Sequence, residues 1–130
     1  MVDIYHSGLE KDEANYQPLT PVTFLERASA VFPDHVAIIY GDTSISYSDF
    51  FSRCRRLASV LTDKGIGRGD TVSVMLANTP SMIEVHYAVP MCGAVLHSIN
   101  TRLDAAVIAF QLEHAESKVL ITDSAFSKTI

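Results

Sequence analysis

The chain has 130 residues, a hydrophobic content of 48% and a formal net charge of −5. This length supports one domain or part of one, and the composition is typical of a globular protein. The acidic balance argues against nucleic-acid and anionic-membrane partners, whose binding surfaces need basic excess. No apolar run reaches the roughly 18 residues of a membrane helix. The opening residues lack the features of a signal peptide, so we expect a cytoplasmic protein.

The first part of the chain predicts an arm, a helix and a hairpin. Residues 1–19 are polar and aperiodic, and we expect them to form an N-terminal arm. Thr20 as N-cap, with Pro21 next, predicts a helix that ends at Pro33. The run 36–40 and the segment 45–47 predict a β-hairpin around the turn 41–44. The predicted helix carries one apolar stripe, formed by Phe24, Leu25, Ala28 and Val31 or Phe32.

The segment 46–65 is the clearest predicted helix. Ser46 and Asp49 have capping-box-like spacing, and Gly65 suits a C-terminal cap. Cys54 lies on its apolar face, and we expect both Cys54 and Cys92 to be buried free thiols. The apolar face comprises Phe50, Cys54, Leu57, Ala58 and Leu61. The basic run Arg53, Arg55 and Arg56 is interpreted as a solvent-exposed face.

Strands and helices alternate in the remainder. Strands are predicted at 71–76, 94–99 and 118–123, the second of them buried. Helices are predicted from Asn78 or Thr79, after a Thr101–Asp104 capping pair, and from residue 124. Pro90 is expected to kink or shorten the first of these helices. The fold class is therefore α/β, with a mostly parallel sheet, helices on both faces and a β-hairpin.

The glycines of "GIGRG" (65–69) are interpreted as a structural turn. They lie between a helix and a strand, which is the reverse of the order in a dinucleotide-binding loop. The chain has no nucleophile elbow, no phosphate-binding P-loop, no paired catalytic carboxylates and no histidine spacing for a metal. We therefore predict no catalytic residue and no metal ligand.

Polar residues follow the predicted strand 94–99, where ligands bind in open parallel sheets. They are His97, Ser98, Asn100, Thr101 and Arg102. Asn100 and Thr101 could instead cap the next helix. A helix N-terminus offers Arg102 no stabilisation, but both that terminus and a guanidinium attract anions. Arg102 is therefore the candidate contact to a phosphate.

Six segments in order resemble a known family. They are "VAIIYGD", "ISYSDF", "RRLASVL", "KGIGRGDTVSVMLANTP", "CGAVLHSINTRL" and "KVLITD". Together they resemble the beginning of the adenylate-forming superfamily. The resemblance is closest to AMP-forming acyl-CoA synthetases of the branch that holds medium-chain and 3-methylmercaptopropionyl-CoA ligases. It implies that residues 20–130 are the first part of a larger N-terminal, AMP-binding domain.

The resemblance also implies a reaction. A carboxylic acid and ATP, accompanied by magnesium, would give an acyl-adenylate, and CoA would then displace AMP to give a thioester. Arg102 would lie near the phosphates of CoA, and Ser98, Asn100 and Thr101 would line the approach of its arm. A homodimer would be unsurprising for this family.

The family's phosphate loop, adenine pocket, ribose-binding Asp and adenylation Lys would all follow Ile130. We therefore expect this chain to be inactive alone and to support a site built by further sequence. One alternative is a small flavodoxin-like binding or interaction domain without enzymatic activity. A receiver domain of that kind would need an acidic cluster at its strand ends, which end here in Tyr40, Leu76, Ile99 and Asp123. A further alternative to an acyl-CoA ligase segment is an interaction fragment that assembles with a separately encoded second half.

Overall fold

The computed structural model describes residues 7–8 and 10–130. Residues 1–6 and 9 of the predicted arm lie outside the described residues, and residues 10–19 form turns and irregular structure. The division into an arm and a domain at residue 20 stays a prediction. The elements are α1 (Pro21–Val31), β1 (Val36–Tyr40), β2 (Thr43–Ser46), α2 (Tyr47–Asp63), β3 (Thr71–Met75), α3 (Pro80–Met91), β4 (Val95–Ser98), α4 (Ala105–His114) and β5 (Ser117–Thr122), followed by a 3-10 turn (Ser124–Phe126).

The predicted α/β class is confirmed. Three parallel strands form a sheet in the order β4-β3-β5, while β1 and β2 pair antiparallel as a separate hairpin. The hairpin register pairs Tyr40 with Thr43, so its loop has two residues, Gly41 and Asp42, and is shorter than the predicted turn. Gly41 has a φ of +57°, in the left-handed region that such tight loops require.

Helices cover both faces of the sheet, and the side chains of β3 point alternately to one face and the other. Val72 and Val74 point to a core built with α2 and α3, which contribute Leu61 and Val85. Met75 points to the other face, where it packs with Ile108 of α4. Because its side chains alternate between two covered faces, the central strand is buried from Val72 to Met75. Helices on both faces were predicted and are confirmed.

Helix starts follow local capping chemistry. Thr20 forms a capping box with Thr23, and the Ser46 hydroxyl accepts a hydrogen bond from the Asp49 backbone N–H. At α4 the cap is Asp104, whose carboxylate accepts from the Val107 N–H at 3.0 Å. The expectation that Asn100 or Thr101 caps α4 is wrong, because the chain makes a turn over 100–103 before the helix begins.

The predicted stripe of α1 is only partly buried. Leu25 is 4% exposed, but Phe24 is 56% exposed. Val31 and Phe32 are also largely exposed. Helix α1 packs mainly on α2, so only a narrow strip of its surface is covered. The prediction of one continuous core stripe was too broad.

Two further features differ from the predictions. Strand β4 is an edge strand that is half-exposed rather than buried, because it pairs with β3 on one side only among the described strands. The predicted final helix is only a 3-10 turn. Pro90 lies one residue before the end of α3, which agrees with the expectation that it shortens this helix. Among the described residues, no helix has the length and apolar character to cross a bilayer.

Candidate functional site

The candidate site is the edge of the sheet at which the three parallel strands end. Strands β3, β4 and β5 run in the same direction, so the segments that follow Met75, Ser98 and Thr122 lie at one edge. Helices α3 and α4 also begin there, which brings two electropositive helix N-termini to the same edge. An edge of this kind is the usual ligand-binding side of an open α/β sheet.

The segment from 99 to 104 is a short turn anchored at both ends. The Ile99 N–H donates to the Val74 carbonyl at 2.8 Å, and the Ile99 side chain is 4% exposed. At the other end, Leu103 packs on the core beneath α4, and Asp104 caps the helix. Between them, Asn100 Oδ1 accepts a hydrogen bond from the Arg102 N–H at 2.9 Å. This side-chain turn fixes the backbone that carries Arg102.

Arg102 is exposed on this fixed turn. Within residues 7–8 and 10–130, its guanidinium makes neither an ion pair nor a hydrogen bond. Its five N–H donors are therefore available to an anion, and a planar guanidinium can bind two phosphate oxygens at once. Asn100 is also exposed and Thr101 is half-exposed, so the turn presents three neighbouring polar side chains.

Ser98 and His97 do not join this group in the same way. Ser98 is the last residue of β4 and pairs with Val74, whose side chain faces α2 and α3. His97 lies inside β4, where its Nδ1 is 2.8 Å from the hydroxyl of the fully buried Ser73. That hydroxyl also contacts Ser117 of β5. His97 thus belongs to a hydrogen-bonded group across the sheet and not to the polar turn.

Three polar residues at the same edge were not singled out from the sequence. Asn78 is exposed, and Thr79 precedes α3 without a side-chain capping bond. Asp123 follows β5, and its carboxylate accepts from the Ala125 N–H at 2.9 Å. The sequence signal was available, because all three residues lie at or just after the carboxyl end of a predicted strand. Asn78 and Thr79 had been interpreted as helix starts, and Asp123 as a strand end.

A second polar group lies between α2 and α3. The Glu84 carboxylate, 8% exposed, accepts from Arg53 Nε at 2.5 Å. This hydrogen bond, with the nearby negative charge, raises the pKa of Arg53. The prediction of a solvent-exposed basic run is confirmed for Arg53, Arg55 and Arg56, and Arg53 in addition pairs with Glu84. Next to this pair, burial raises the pKa of the Cys54 thiol to about 12, and the Glu84 charge adds to the effect.

The cysteines and the "GIGRG" turn are structural. Cys54 is buried and Cys92 is half-buried, and both are free thiols. Gly65 and Gly69 have positive φ angles in the turn between α2 and β3. Asp70 closes that turn by accepting from the Gly67 N–H at 2.9 Å, and it pairs with Lys118 at 2.6 Å. Within the described chain, no three His, Cys, Asp or Glu side chains are grouped to hold a metal.

The fold defines a class: an α/β protein with a parallel sheet, a class in which ligands usually bind beyond the strand ends. Comparison with known proteins defines the family. Residues 25–130 match the family described as AMP-binding enzyme. The chain therefore belongs to the AMP-binding enzyme family, and the resemblance to adenylate-forming enzymes is confirmed.

Two similar relatives are named as CoA ligases. The chain is 51% identical over 118 residues to the peroxisomal butyrate–CoA ligase AAE11 of Arabidopsis thaliana. The matched residues cover 91% of this chain and 21% of that relative. The chain is 53% identical over 114 residues to the peroxisomal benzoate–CoA ligase of the same plant, covering 88% and 20%. The chain thus spans about a fifth of the length of these relatives.

Solved structures agree in fold. A putative long-chain-fatty-acid CoA ligase from Rhodopseudomonas palustris matches with a TM-score of 0.80 and 32% identity, over 85% of this chain and 28% of that one. The O-succinylbenzoate CoA synthetase of Bacillus subtilis, in complex with ATP and magnesium, matches with a TM-score of 0.77 and 30% identity. That match covers 86% of this chain and 30% of the other.

Proposed function

We propose that this chain is part of an acyl-CoA ligase and that Arg102 contacts the phosphates of CoA. The overall reaction would have two steps. A carboxylate oxygen attacks the α-phosphorus of ATP and expels pyrophosphate, which gives an acyl-adenylate. The thiol sulfur of CoA then attacks the acyl carbon, loses its proton and expels AMP. Membership of the AMP-binding enzyme family and the CoA-ligase relatives support this proposal.

The observation that carries the site is the exposed guanidinium of Arg102 on an anchored turn, without a partner among the described residues. Its backbone is fixed by Asn100, Ile99 and Asp104, so the entropy lost when a phosphate binds would come mainly from the arginine side chain. Charge-assisted bonds from guanidinium to phosphate are among the strongest in proteins. Asn100 and Thr101 would line the approach of the CoA arm, and Ser98 would lie at its side.

The groups that carry out adenylation are assigned to sequence other than this chain. Among the described residues, no three His, Cys, Asp or Glu side chains are grouped to hold a metal, and no step is assigned to the magnesium ion here. ATP would be bound mainly by other parts of the enzyme. The 130-residue chain alone should therefore show no ATP–pyrophosphate exchange with any carboxylic acid. Measurable exchange from the pure chain would contradict this division of labour.

The acyl substrate is proposed only as a carboxylic acid. The two relatives are named for butyrate and benzoate, which differ in shape, so the names do not select one. A medium-chain substrate, a cytoplasmic location and a homodimer remain predictions from the sequence. Localisation of a fluorescent fusion would test the cytoplasmic location. This test is needed because both relatives bear "peroxisomal" in their names.

Arg102 can be tested in a chimera in which this chain replaces the matched segment of the Arabidopsis butyrate–CoA ligase. Arg102→Ala should raise the KM for CoA about tenfold or more, because a charged hydrogen-bond partner is lost. ATP–pyrophosphate exchange should stay unchanged. Arg102→Lys should recover only part of the loss, since an ammonium cannot bind bidentately.

The matched control is Arg56→Ala, which removes an exposed arginine from α2. It should leave both the KM for CoA and the exchange rate unchanged. An unchanged KM for CoA in Arg102→Ala would remove the site assignment. Equal losses in both variants would assign the effect to net charge instead.

A further inference from the structure

The first half of helix α4 is apolar on every side. Residues 105–110 read AAVIAF, without a polar side chain. Ile108 points inward and is 2% exposed, yet Phe110 is 64% exposed and Val107 is 38% exposed. Ala105, Ala106 and Ala109 are exposed as well. A helix that is apolar all round is normally covered on all sides, whereas α4 is covered only where it packs on the sheet.

We propose that the outer face of α4, formed by Ala105, Ala106, Ala109 and Phe110, is an interface for the part of an AMP-binding fold that this chain does not span. The chain covers 21% of the butyrate–CoA ligase relative and 28% of the matched Rhodopseudomonas structure. Most of the fold therefore lies outside these residues and can supply the missing cover. This inference rests on the family match and not on the proposed CoA contact.

The side chains of this face suit contact with another element of the same fold. Three alanines allow a helix or strand backbone to approach closely, and Phe110 supplies one large apolar anchor. The Phe110 ring stacks on His114 with ring centres 5.6 Å apart and planes 8° apart, which holds it beside the helix. Large aromatic anchors of this kind dominate the energy of buried interfaces.

A second copy of this chain fits the face less well. A ten-residue helix is about 15 Å long, so one side of it falls far short of the roughly 800 Å² that each partner buries in a stable complex. Each copy also carries a net charge of −5, and like-charged copies repel. A contact within one larger fold does not need to bury that much area by itself, because the chain connection and the other packed surfaces of the fold also hold the two parts together.

The test measures solvent access to α4 by thiol labelling. In a Cys92→Ser background, Ala106→Cys places one reactive thiol on the outer face, while Cys54 is fully buried. The matched control is Ser59→Cys, an exposed position on the polar side of α2. Both thiols should react with a maleimide at similar rates in the 130-residue chain. In the butyrate–CoA ligase chimera, Ala106→Cys should react at least tenfold more slowly, with Ser59→Cys unchanged.

Three results would overturn the inference. Equal labelling of Ala106→Cys in the chain and the chimera would show that nothing covers α4. Slowing at both positions would show general protection rather than a specific interface. Protection of Ala106→Cys in the isolated chain at rising concentration, relieved by Phe110→Glu, would assign the face to a second copy. Enzyme activity enters none of these measurements, so the inference and the CoA proposal can fail separately.

Discussion

Helices α2 and α4 both pack on the central sheet, but their outer faces are built differently. In α2, Phe50 and Leu61 point inward, while Arg55, Arg56 and Ser59 face outward. In α4, Ile108 points inward, but the outward positions are alanines and Phe110. The outward face of α2 is polar, as expected for a helix face in contact with water. The outward face of α4 is apolar, although both helices belong to one fold.

The same contrast extends to the contacts that fix each helix. Helix α2 is tied to α3 by the Arg53–Glu84 pair and by Phe50, whose ring meets Tyr87 edge to face at 5.2 Å. Helix α4 is fixed by its Asp104 cap and by the packing of Ile108 and Leu112 beneath it. Helix α2 thus carries specific polar and aromatic contacts, whereas the stability of α4 in this chain depends on one apolar strip.

The largest expected change in the free energy of unfolding comes from comparing the inward and outward sides of α4. Ile108→Ala should lower the free energy of unfolding by about 3 kcal/mol, because it removes three buried carbons and leaves a cavity between α4 and Met75. Phe110→Ala, which removes a larger side chain, should change it by less than about 0.5 kcal/mol, since that ring is mostly in water. Urea unfolding of the 130-residue chain measures both.

The order of these two effects is the decisive outcome. A larger loss for Phe110→Ala than for Ile108→Ala would mean that the outer face is already buried in the chain, and the contrast with α2 would disappear. Phe24→Ala in α1 provides a control, because Phe24 is 56% exposed and should resemble Phe110.

The next effect tests the polar contact of α2. Arg53→Ala should lower the free energy of unfolding by about 2 kcal/mol, because it leaves the buried Glu84 carboxylate without its partner. Arg56→Ala on the same helix should have almost no effect, since Arg56 is exposed. Thermal and urea melts of the two variants make the comparison.

A double variant separates the pair from its parts. In Arg53→Ala combined with Glu84→Gln, no uncompensated buried charge is left, so the loss should be smaller than in Arg53→Ala alone. A double variant as unstable as the sum of the two single changes would show that the side chains contribute independently.

Much of the fold could be predicted because it depends on local patterns. Alternation in β3, the caps Thr20 and Ser46, and the order of strands and helices are all written in short segments. The errors arose where tertiary context decides. Strand β4 begins with apolar residues but lies at an edge, and Phe24 and Val31 of α1 are apolar but largely exposed. Periodicity identifies an apolar surface but does not identify what covers it.

The candidate site was predicted less completely. Arg102 could be selected because a positive charge next to a helix N-terminus conflicts with the helix dipole. The sequence could not show that Arg53, three residues from Arg56, reaches Glu84 across 31 residues, or that His97 meets Ser73. Such long-range partners depend on how α2, α3 and the strands are placed in space.

The last prediction concerns the Cys54 thiol, which α2 buries beside Glu84. Burial raises its pKa from 9.0 to about 12, so the folded chain keeps the proton at a pH where the unfolded chain loses it. The stabilising effect is complete below pH 9 and is lost as the pH rises towards 12, with a slope of about −1.4 kcal/mol per pH unit. Cys54→Ala removes this titration, so its free energy of unfolding should fall less steeply over that range than that of the unchanged chain. Parallel pH dependences would show that the thiol ionises while α2 stays packed on α3. That result would leave the Arg53–Glu84 pair as the polar contact that distinguishes α2 from α4.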